Sequence, residues 1–260
     1  MEKYEMQLNH EYYVVTANDL IKGRQKMTLR EAQLLAIAIA QVVKEDSDLK
    51  TYTVTVPELA AFMGIDTNSL YRDLENICTS LMQRVVKIQI GGENAKSRKK
   101  WAIYHWISCA KYDSGTLTLR LSDEIKPYLL DLEAYYTQTM LGTLMTFRSY
   151  YATRLYQYLK ADAGAKNKEE WYFTLDEIRE LFQVGEKQYE RPYNLLQKTI
   201  KPALDELNKS DYMHIWDFTE HRAGTKGKPL KGISFKAIFF KDAADKEFYM
   251  KKAKPIIDSL

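Results

Sequence analysis

Apolar and polar positions along this chain follow the same order twice. The stretch from Thr55 to Ile65 places its apolar residues at helical spacing, and the stretch from Thr174 to Val184, 119 positions further on, matches them one for one. Around each copy the pattern predicts an apolar helix, a polar hinge, a short strand, a helix-turn-helix and a basic hairpin, once before Tyr112 and again after Phe147.

In the first copy, Thr28 and Glu31 have the spacing of a capping box, so a helix is expected from Thr28. Its apolar residues run from Leu29 through Leu34, Leu35, Ile37, Ile39, Val42 and Val43, the mark of a buried spine. A charged hinge over Lys44 to Lys50 should end it, followed by a strand over Tyr52 to Val56 and a helix opened by Pro57, whose missing N–H costs nothing in a first turn. Gly64 permits a tight turn, and Leu70, Leu74, Ile77, Cys78 and Leu81 form the inner stripe of the next helix. Val85 to Ile90 and Trp101 to Ser108 then read as a hairpin, the first wing. Next come a strand near Thr116 to Leu121 and a helix from Ser122.

The second copy repeats the series: a spine over Phe147 to Ala161, a hinge to Glu170, a strand over Trp171 to Leu175 and a helix over Asp176 to Gln183, with Gly185 supplying the turn. The following helix buries Leu196, Ile200, Leu204 and Leu207. Pro202 interrupts it and predicts a break after Thr199, because a proline inside a helix removes a backbone hydrogen bond at a cost of about 3 kcal/mol. Strands over Met213 to Phe218 and Gly232 to Phe240 flank the second wing.

These elements define an α+β chain of two tandem winged-helix domains, each a helix-turn-helix plus a β-hairpin wing, related by an internal repeat. The expected boundaries are an N-terminal arm over residues 1–26, a first domain over 27–135, a second over 136–241, and a C-terminal helix or tail over 242–260.

Charge adds a location more than a class. The chain has 260 residues, and 38 basic against 35 acidic side chains leave only +3, too little to signal nucleic acid by itself. The distribution is more telling. Five basic residues and no acid lie between Asn94 and Tyr112, and five more lie between Thr219 and Lys236 against Glu220 alone, in what read as matching places of the two repeats.

A winged helix lays its second helix in the major groove while its hairpin touches the flanking backbone. In the first domain the expected base readers are Asn68, Ser69 and Arg72, with Lys96, Arg98, Lys99 and Lys100 on the wing. In the second they are Lys187, Gln188, Tyr189, Arg191, Asn194, Gln197, Lys198 and Lys201, with Arg222, Lys226, Lys228 and Lys231 on the wing. Arginine suits guanine, asparagine and glutamine suit adenine, and lysine mostly meets phosphate, so the donor-rich second set should carry most of the affinity. Glu75 and Asp205 would repel phosphate if turned toward it. Tyrosine is abundant, 19 in all, and fits packing better than stacking platforms, which leaves single-stranded DNA a secondary partner.

Catalytic constellations are missing from the pattern. The four histidines are too dispersed for a helix- or strand-borne metal pair, Gly224 to Lys228 lacks the spacing of a phosphate-binding loop, and Cys78 and Cys109 have no partners at metal or disulfide-framework spacing. No enzyme, metal or cofactor is therefore expected. No apolar run approaches the roughly 20 residues that span a bilayer, and the polar, acidic N-terminus does not resemble a signal peptide, so the expected location is the cytoplasm with no membrane partner.

From about Asn18 to Phe240 the chain resembles the iteron-binding replication initiator (Rep) proteins of theta-replicating plasmids. The residues that carry the resemblance are Leu29 with Gln33, the segment Ser149, Tyr151, Arg154, Leu155 and Tyr156, the run Ile200 to Asn208, and the glycine-lysine wing followed by Ile233-Ser234-Phe235. The resemblance implies a monomer on directly repeated origin sites and a homodimer, joined through the first domain, that represses its own promoter at an inverted repeat. It also implies origin melting and recruitment of the host initiator DnaA and the replicative helicase, with dominant base contacts from the second domain. Family members often carry arginines where this chain has Gln197 and Lys198. The competing readings are a dimeric winged-helix transcriptional regulator without a replication role, a relaxase or primase-like enzyme, and a chain in which one winged helix serves as a protein interface.

Overall fold

The computed structural model describes residues 2–90, 100–130, 132–166, 169–224 and 229–257. It divides into two compact units, Met1–Thr146 and Phe147–Leu260.

The first unit contains strands β1 (Lys3–Glu5) and β2 (Tyr13–Ala17), helix α1 (Asn18–Lys22), strand β3 (Arg24–Gln25), helix α2 (Leu29–Ile39), strand β4 (Thr51–Thr55) and helices α3 (Val56–Phe62) and α4 (Thr67–Met82). Strands β5 (Val85–Ile90), β6 (Lys100–His105), β7 (Ile107–Asp113) and β8 (Thr116–Leu121) follow, then a 3₁₀ turn over Asp123–Tyr128 where an α-helix was expected, strand β9 (Tyr136–Met140) and helix α5 (Leu141–Thr146).

Helix α2 begins as its sequence dictates. The Thr28 hydroxyl accepts from the Glu31 N–H, and the Glu31 carboxylate accepts from the Thr28 N–H at 2.8 Å. It ends at Ile39, short of the expected Val43, and just beyond it the Gln41 side chain donates to the Ile37 carbonyl at 3.2 Å and to the Gln7 carbonyl at 3.2 Å. Val43 is consequently exposed. A second capping box, Thr55 with Glu58, starts α3, and Gly64 at φ +63° makes the turn that Asp66 completes by accepting from the Ser69 N–H at 2.8 Å. Helix α4 buries Leu70, Leu74 and Leu81.

Two expectations need correction. Residues 1–26 are no arm: β1 pairs in parallel with β4, β3 pairs with β5, and β2 pairs with β9 over Tyr13↔Met140 to Ala17↔Tyr136. At the end of that ladder the buried Thr137 hydroxyl donates to the Asn18 side-chain oxygen at 2.7 Å. The chain from Tyr136 to Thr146 is thereby held in the first unit, and the division falls after Thr146, not after Tyr135.

The second correction concerns the wing. The main sheet runs β1-β4-β8-β7, while β5 and β6 form a separate sheet with β3. In the second unit, strands β10 (Glu170–Thr174), β11 (Met213–Arg222) and β12 (Leu230–Phe239) run β10-β12-β11. The strand before the helix-turn-helix pairs with β8 in one unit and with β12 in the other, so β7–β8 is the counterpart of β11–β12. The β5–β6 hairpin is an addition of the first unit. The β7–β8 turn is the tight two-residue kind, with Ser114 at φ 48° and Gly115 at φ 85°.

The second unit opens with helix α6 (Tyr150–Lys166) and continues, after β10, with α7 (Leu175–Phe182), α8 (Pro192–Lys198) and α9 (Ile200–Lys209), ending in α10 (Ala243–Ile257). Ser149 accepts from the Ala152 N–H at 3.1 Å and so caps α6. The helix runs past the expected hinge at Ala161, since Asp162 is buried and accepts from Trp171 Nε1 at 3.1 Å. A third capping box, Thr174 with Glu177, starts α7 at the position Thr55 holds in the repeat. Stacking of Trp171 and of Phe173 on Phe235, at centroid distances of 6.2 and 6.0 Å, ties β10 to β12 in the core.

Candidate nucleic-acid interface

The helix that should enter a groove in the second unit is two helices. Pro202 has no N–H to offer the Lys198 carbonyl, and the chain breaks at Thr199, where φ is −127° and ψ is −79°. The Thr199 hydroxyl and N–H both bond the Leu195 carbonyl, at 2.7 and 3.1 Å, which closes the end of α8. Leu195 and Leu196 are buried and fix α8 against the core, while Tyr193, Asn194 and Lys198 stand exposed and Gln197 is half-buried. Arg191 is the N-cap residue, also exposed, with Pro192 at the first helical position.

Lys187, Gln188 and Tyr189 are not helical. They lie in a turn closed by the Gln188 N–H on the Gly185 carbonyl at 2.9 Å, with Lys187 and Gln188 exposed and Tyr189 left-handed at φ 53°. The residue that absorbs the helix end is Gln183, at φ 50°, and not Gly185. Arg179 of α7 organises this turn. Its Nη1 donates to the carbonyls of Gly185 at 3.1 Å and Gln188 at 2.9 Å, and its Nη2 to that of Tyr189 at 2.7 Å.

Beside α9, the predicted cations Lys201 and Arg222 share one acid. Lys201 Nζ lies 3.0 Å from Glu220 Oε1 and Arg222 Nη2 lies 2.8 Å from Oε2. Hydrogen bonds from these two cations hold the Glu220 carboxyl below the usual carboxylate range. Lys201 also sits 5.5 Å from the centroid of the exposed Phe218 ring. Lys231 is exposed on β12, while Lys226 and Lys228 lie outside the described residues.

The first unit presents a different surface. On α4, Asn68 is exposed, Ser69 is half-buried, and Arg72 Nε lies 3.2 Å from Asp73 Oδ1, with Glu75 exposed on the following turn. Between α4 and β7 there is a cavity of about 330 Å³ whose lining is mostly apolar, with Tyr71, Leu74, Cys78, Met82 and Tyr112, and also carries the Glu75 and Lys111 side chains. Burial pushes the Cys78 thiol up to about 11. On the wing proper, Lys111 pairs with Asp113 at 3.5 Å. Lys96, Arg98 and Lys99 lie outside the described residues, and Lys100 is exposed on the added β5–β6 hairpin. Of the first basic cluster, Lys100 therefore sits on the added hairpin and Lys111 on the hairpin equivalent to β11–β12.

Sequence reasoning missed Arg179, Tyr193 and Glu220. Tyr193 follows Pro192 in a first helical turn and is 67% exposed, which the helical period around Leu195 and Leu196 could have shown. Arg179 carries no such local signal, because its partners are backbone carbonyls of the following turn, and Glu220 meets one partner, Arg222, on its own strand and the other, Lys201, on α9. Among the described residues no group of three or more His, Cys, Asp or Glu is placed to hold a metal ion, and no helix is long and apolar enough to cross a membrane.

Comparison with known proteins agrees with this architecture. A family model described as "Initiator Replication protein, WH1" matches residues 13–160, and one described as "Initiator Rep protein, WH2" matches residues 174–237. A "Replication initiation protein" of Escherichia coli is 28% identical over 211 residues, which is 79% of this chain, and the chain spans 65% of that relative's length. The crystal structure of the Pi initiator protein in complex with iteron DNA superposes with a TM-score of 0.67 at 19% identity, covering 90% of this chain and all of the other. The chain belongs to the plasmid initiator replication protein family, a family of tandem winged-helix proteins and not of enzymes.

Proposed function

We propose that the protein initiates plasmid replication by binding directly repeated sites in duplex origin DNA as a monomer, without catalysing a reaction. The observation that carries this reading is the outer face of α8, where Arg191, Tyr193, Asn194 and Lys198 stand exposed over a helix anchored by buried Leu195 and Leu196, with no acid within the helix. Arg191 and Asn194 have the chemistry to read base edges, and Lys198 to hold a phosphate. Gln197, Lys187, Gln188 and Tyr189 flank them, and Lys201, Arg222, Lys226, Lys228 and Lys231 extend the interface along the wing. In the first unit Asn68, Ser69 and Arg72, with Lys96, Arg98, Lys99 and Lys100, play the lesser part, since α4 carries acids beside its one arginine.

In this reading the bound initiator helps open the origin, exposes single-stranded DNA, and recruits the host DnaA and helicase. A homodimer formed through the first domain represses its own promoter at an inverted repeat. The work is done in the cytoplasm.

A footprint on the DNA flanking its own gene tests the reading. Wild type should protect regularly spaced blocks, and a Lys198→Ala, Arg191→Ala double variant should lose them. Its residual binding should depend less steeply on salt, by about 0.9 in log–log slope for each phosphate that the variant no longer neutralises. A single protected palindrome would favour a dimeric regulator, and no protection would reject DNA reading by this surface.

A further inference from the structure

We infer that the turn between α7 and α8 is itself a base-reading element and that Arg179 is the residue that positions it. The inference rests on the reading that the second unit grips duplex DNA, and it names a part of that grip lying outside both helix and wing.

The two repeats differ at this place. In the first unit the helices are joined by Met63 to Asp66, a short turn made by Gly64 and capped by Asp66. In the second the connection runs from Gln183 to Arg191, more than twice as long. The longer turn carries two non-glycine residues in the left-handed region, Gln183 and Tyr189. Such a shape persists only where neighbours over-determine it. Three carbonyls, of Gly185, Gln188 and Tyr189, converge on the Arg179 guanidinium, and its planar fork of donors satisfies all three together. Val184, buried, pins the turn's beginning, and the turn ends at Arg191, the N-cap position of α8.

The charge of the turn says what it can recognise. Glu186 and Glu190 offset Lys187 and Arg191, so the segment has no net pull on phosphate. What it presents is the exposed Gln188 amide and Lys187 ammonium, leading into the first turn of α8 where Arg191 and Asn194 stand. An amide is suited to a base edge, above all adenine, and less to a phosphate. Arg179 is spent on carbonyls, so it acts through the turn and touches no DNA.

Equilibrium binding of the full chain separates these roles. The duplexes are one carrying the footprinted repeats and a scrambled one of equal length, each titrated at several salt concentrations. The proteins are wild type, Arg179→Ala, Arg179→Lys, Gln188→Ala and the Arg179→Ala, Gln188→Ala double variant, with a thermal midpoint measured for each. We expect Arg179→Ala to lose about tenfold to a hundredfold in affinity for the repeats. Its affinity for scrambled DNA, its salt slope and its thermal midpoint should stay at the wild-type values. Arg179→Lys, which can reach fewer carbonyls, should fall between, and the double variant should bind no worse than Arg179→Ala because both changes disable the same base reading.

Undiminished repeat affinity in Arg179→Ala overturns the inference. So does a loss shared by scrambled DNA with a shallower salt slope, which would make Arg179 a phosphate ligand. A loss that tracks a falling thermal midpoint, or losses that add in the double variant, would equally overturn it. If wild type itself does not prefer the repeats, the underlying reading fails, and that result is distinct from all of these.

Discussion

Glu220 pairs with Lys201 of α9 and Arg222 of β11, and replacing it by glutamine should tighten DNA binding while making it more sensitive to salt. Each carboxylate oxygen takes one partner, Lys201 at 3.0 Å and Arg222 at 2.8 Å, and the acid carries a full negative charge because those partners depress its pKa. Glutamine keeps the shape, leaves one acceptor oxygen and removes the charge. Lys201, released from this ion pair to meet a phosphate, steepens the log–log salt dependence by about 0.9. Between roughly 50 and 200 mM salt that is an extra loss of about 3.5-fold. Fluorescence anisotropy with a labelled repeat duplex, titrated across that range, reads slope and affinity together. Glu220→Gln should bind more tightly at the low end and lose the advantage at the high end. If affinity and slope both stay at wild-type values, Lys201 does not face phosphate and must be dropped from the interface.

Other positions give sharp tests of the fold beneath the site. Glu31 is buried and meets Arg84 at two points, Nε to Oε2 at 2.8 Å and Nη2 to Oε1 at 3.0 Å, so Arg84→Met should cost the first unit about 3–5 kcal/mol by calorimetry; a loss well under ~1 kcal/mol would mean that the carboxylate is rescued by water. Burial raises the Glu31 pKa, but hydrogen bonds from Arg84, Ser80 and Thr28, with the Arg84 charge, outweigh it and bring it below the usual glutamate value. A folded pKa below the unfolded one means that this stabilisation is complete above the ordinary glutamate pKa of about 4.3 and fades as pH falls through the lower folded value, so a wild-type to Arg84→Met gap unchanged by acid would contradict it. Gly232→Ala should destabilise the second unit by about 1–3 kcal/mol, because the added methyl would meet the Phe173 carbonyl oxygen and lie 2.8 Å from the Tyr172 hydroxyl. Gly64→Ala has open space but a φ of +63° and should cost about 1–2 kcal/mol, whereas Gly185→Ala, with open space and no positive φ, should stay within about 0.5 kcal/mol; equal costs would show that the two turns are built alike.

The parts of this fold that were legible in the sequence are those written within a few residues. The capping box at Thr28, the Gly64 turn and the helix break that Pro202 forces at Thr199 each depend on neighbours one to five positions away. What was misjudged depends on distant partners. Just beyond the end of α2 the Gln41 amide bonds to Gln7, and the β2–β9 ladder joins the first residues of the chain to Tyr136–Met140. Strands of that length pair with whichever edge the rest of the unit offers, so local alternation cannot name the partner. The expected start of the second domain at residue 136 differs from the division after Thr146 for the same reason, since local pattern does not reveal that β2 pairs with Tyr136–Met140.

The wing assignment failed more instructively. A repeat guarantees that equivalent elements exist, not that they occur at equal spacing, and the first unit inserts β5–β6 between its helix α4 and the hairpin that pairs with β4. Basic residues on that inserted hairpin were aligned with those of β11–β12 by order alone. Pairing shows instead that the true counterpart, β7–β8, ends in a two-residue turn with Lys111 held by Asp113. The units therefore share a start, with a threonine capping box before the first helix of each pair, and diverge from the next turn onward. One acquires a short turn, an acidic helix face and a cavity beside it; the other acquires a long turn clamped by Arg179 and a broken helix free of acid in its first half. A frame that is kept while its outer surfaces separate in charge is what one chain needs in order to apply two copies of a fold to different tasks. The proposed division of labour between the units rests on the turn and the helix face, two places where their side-chain chemistry departs.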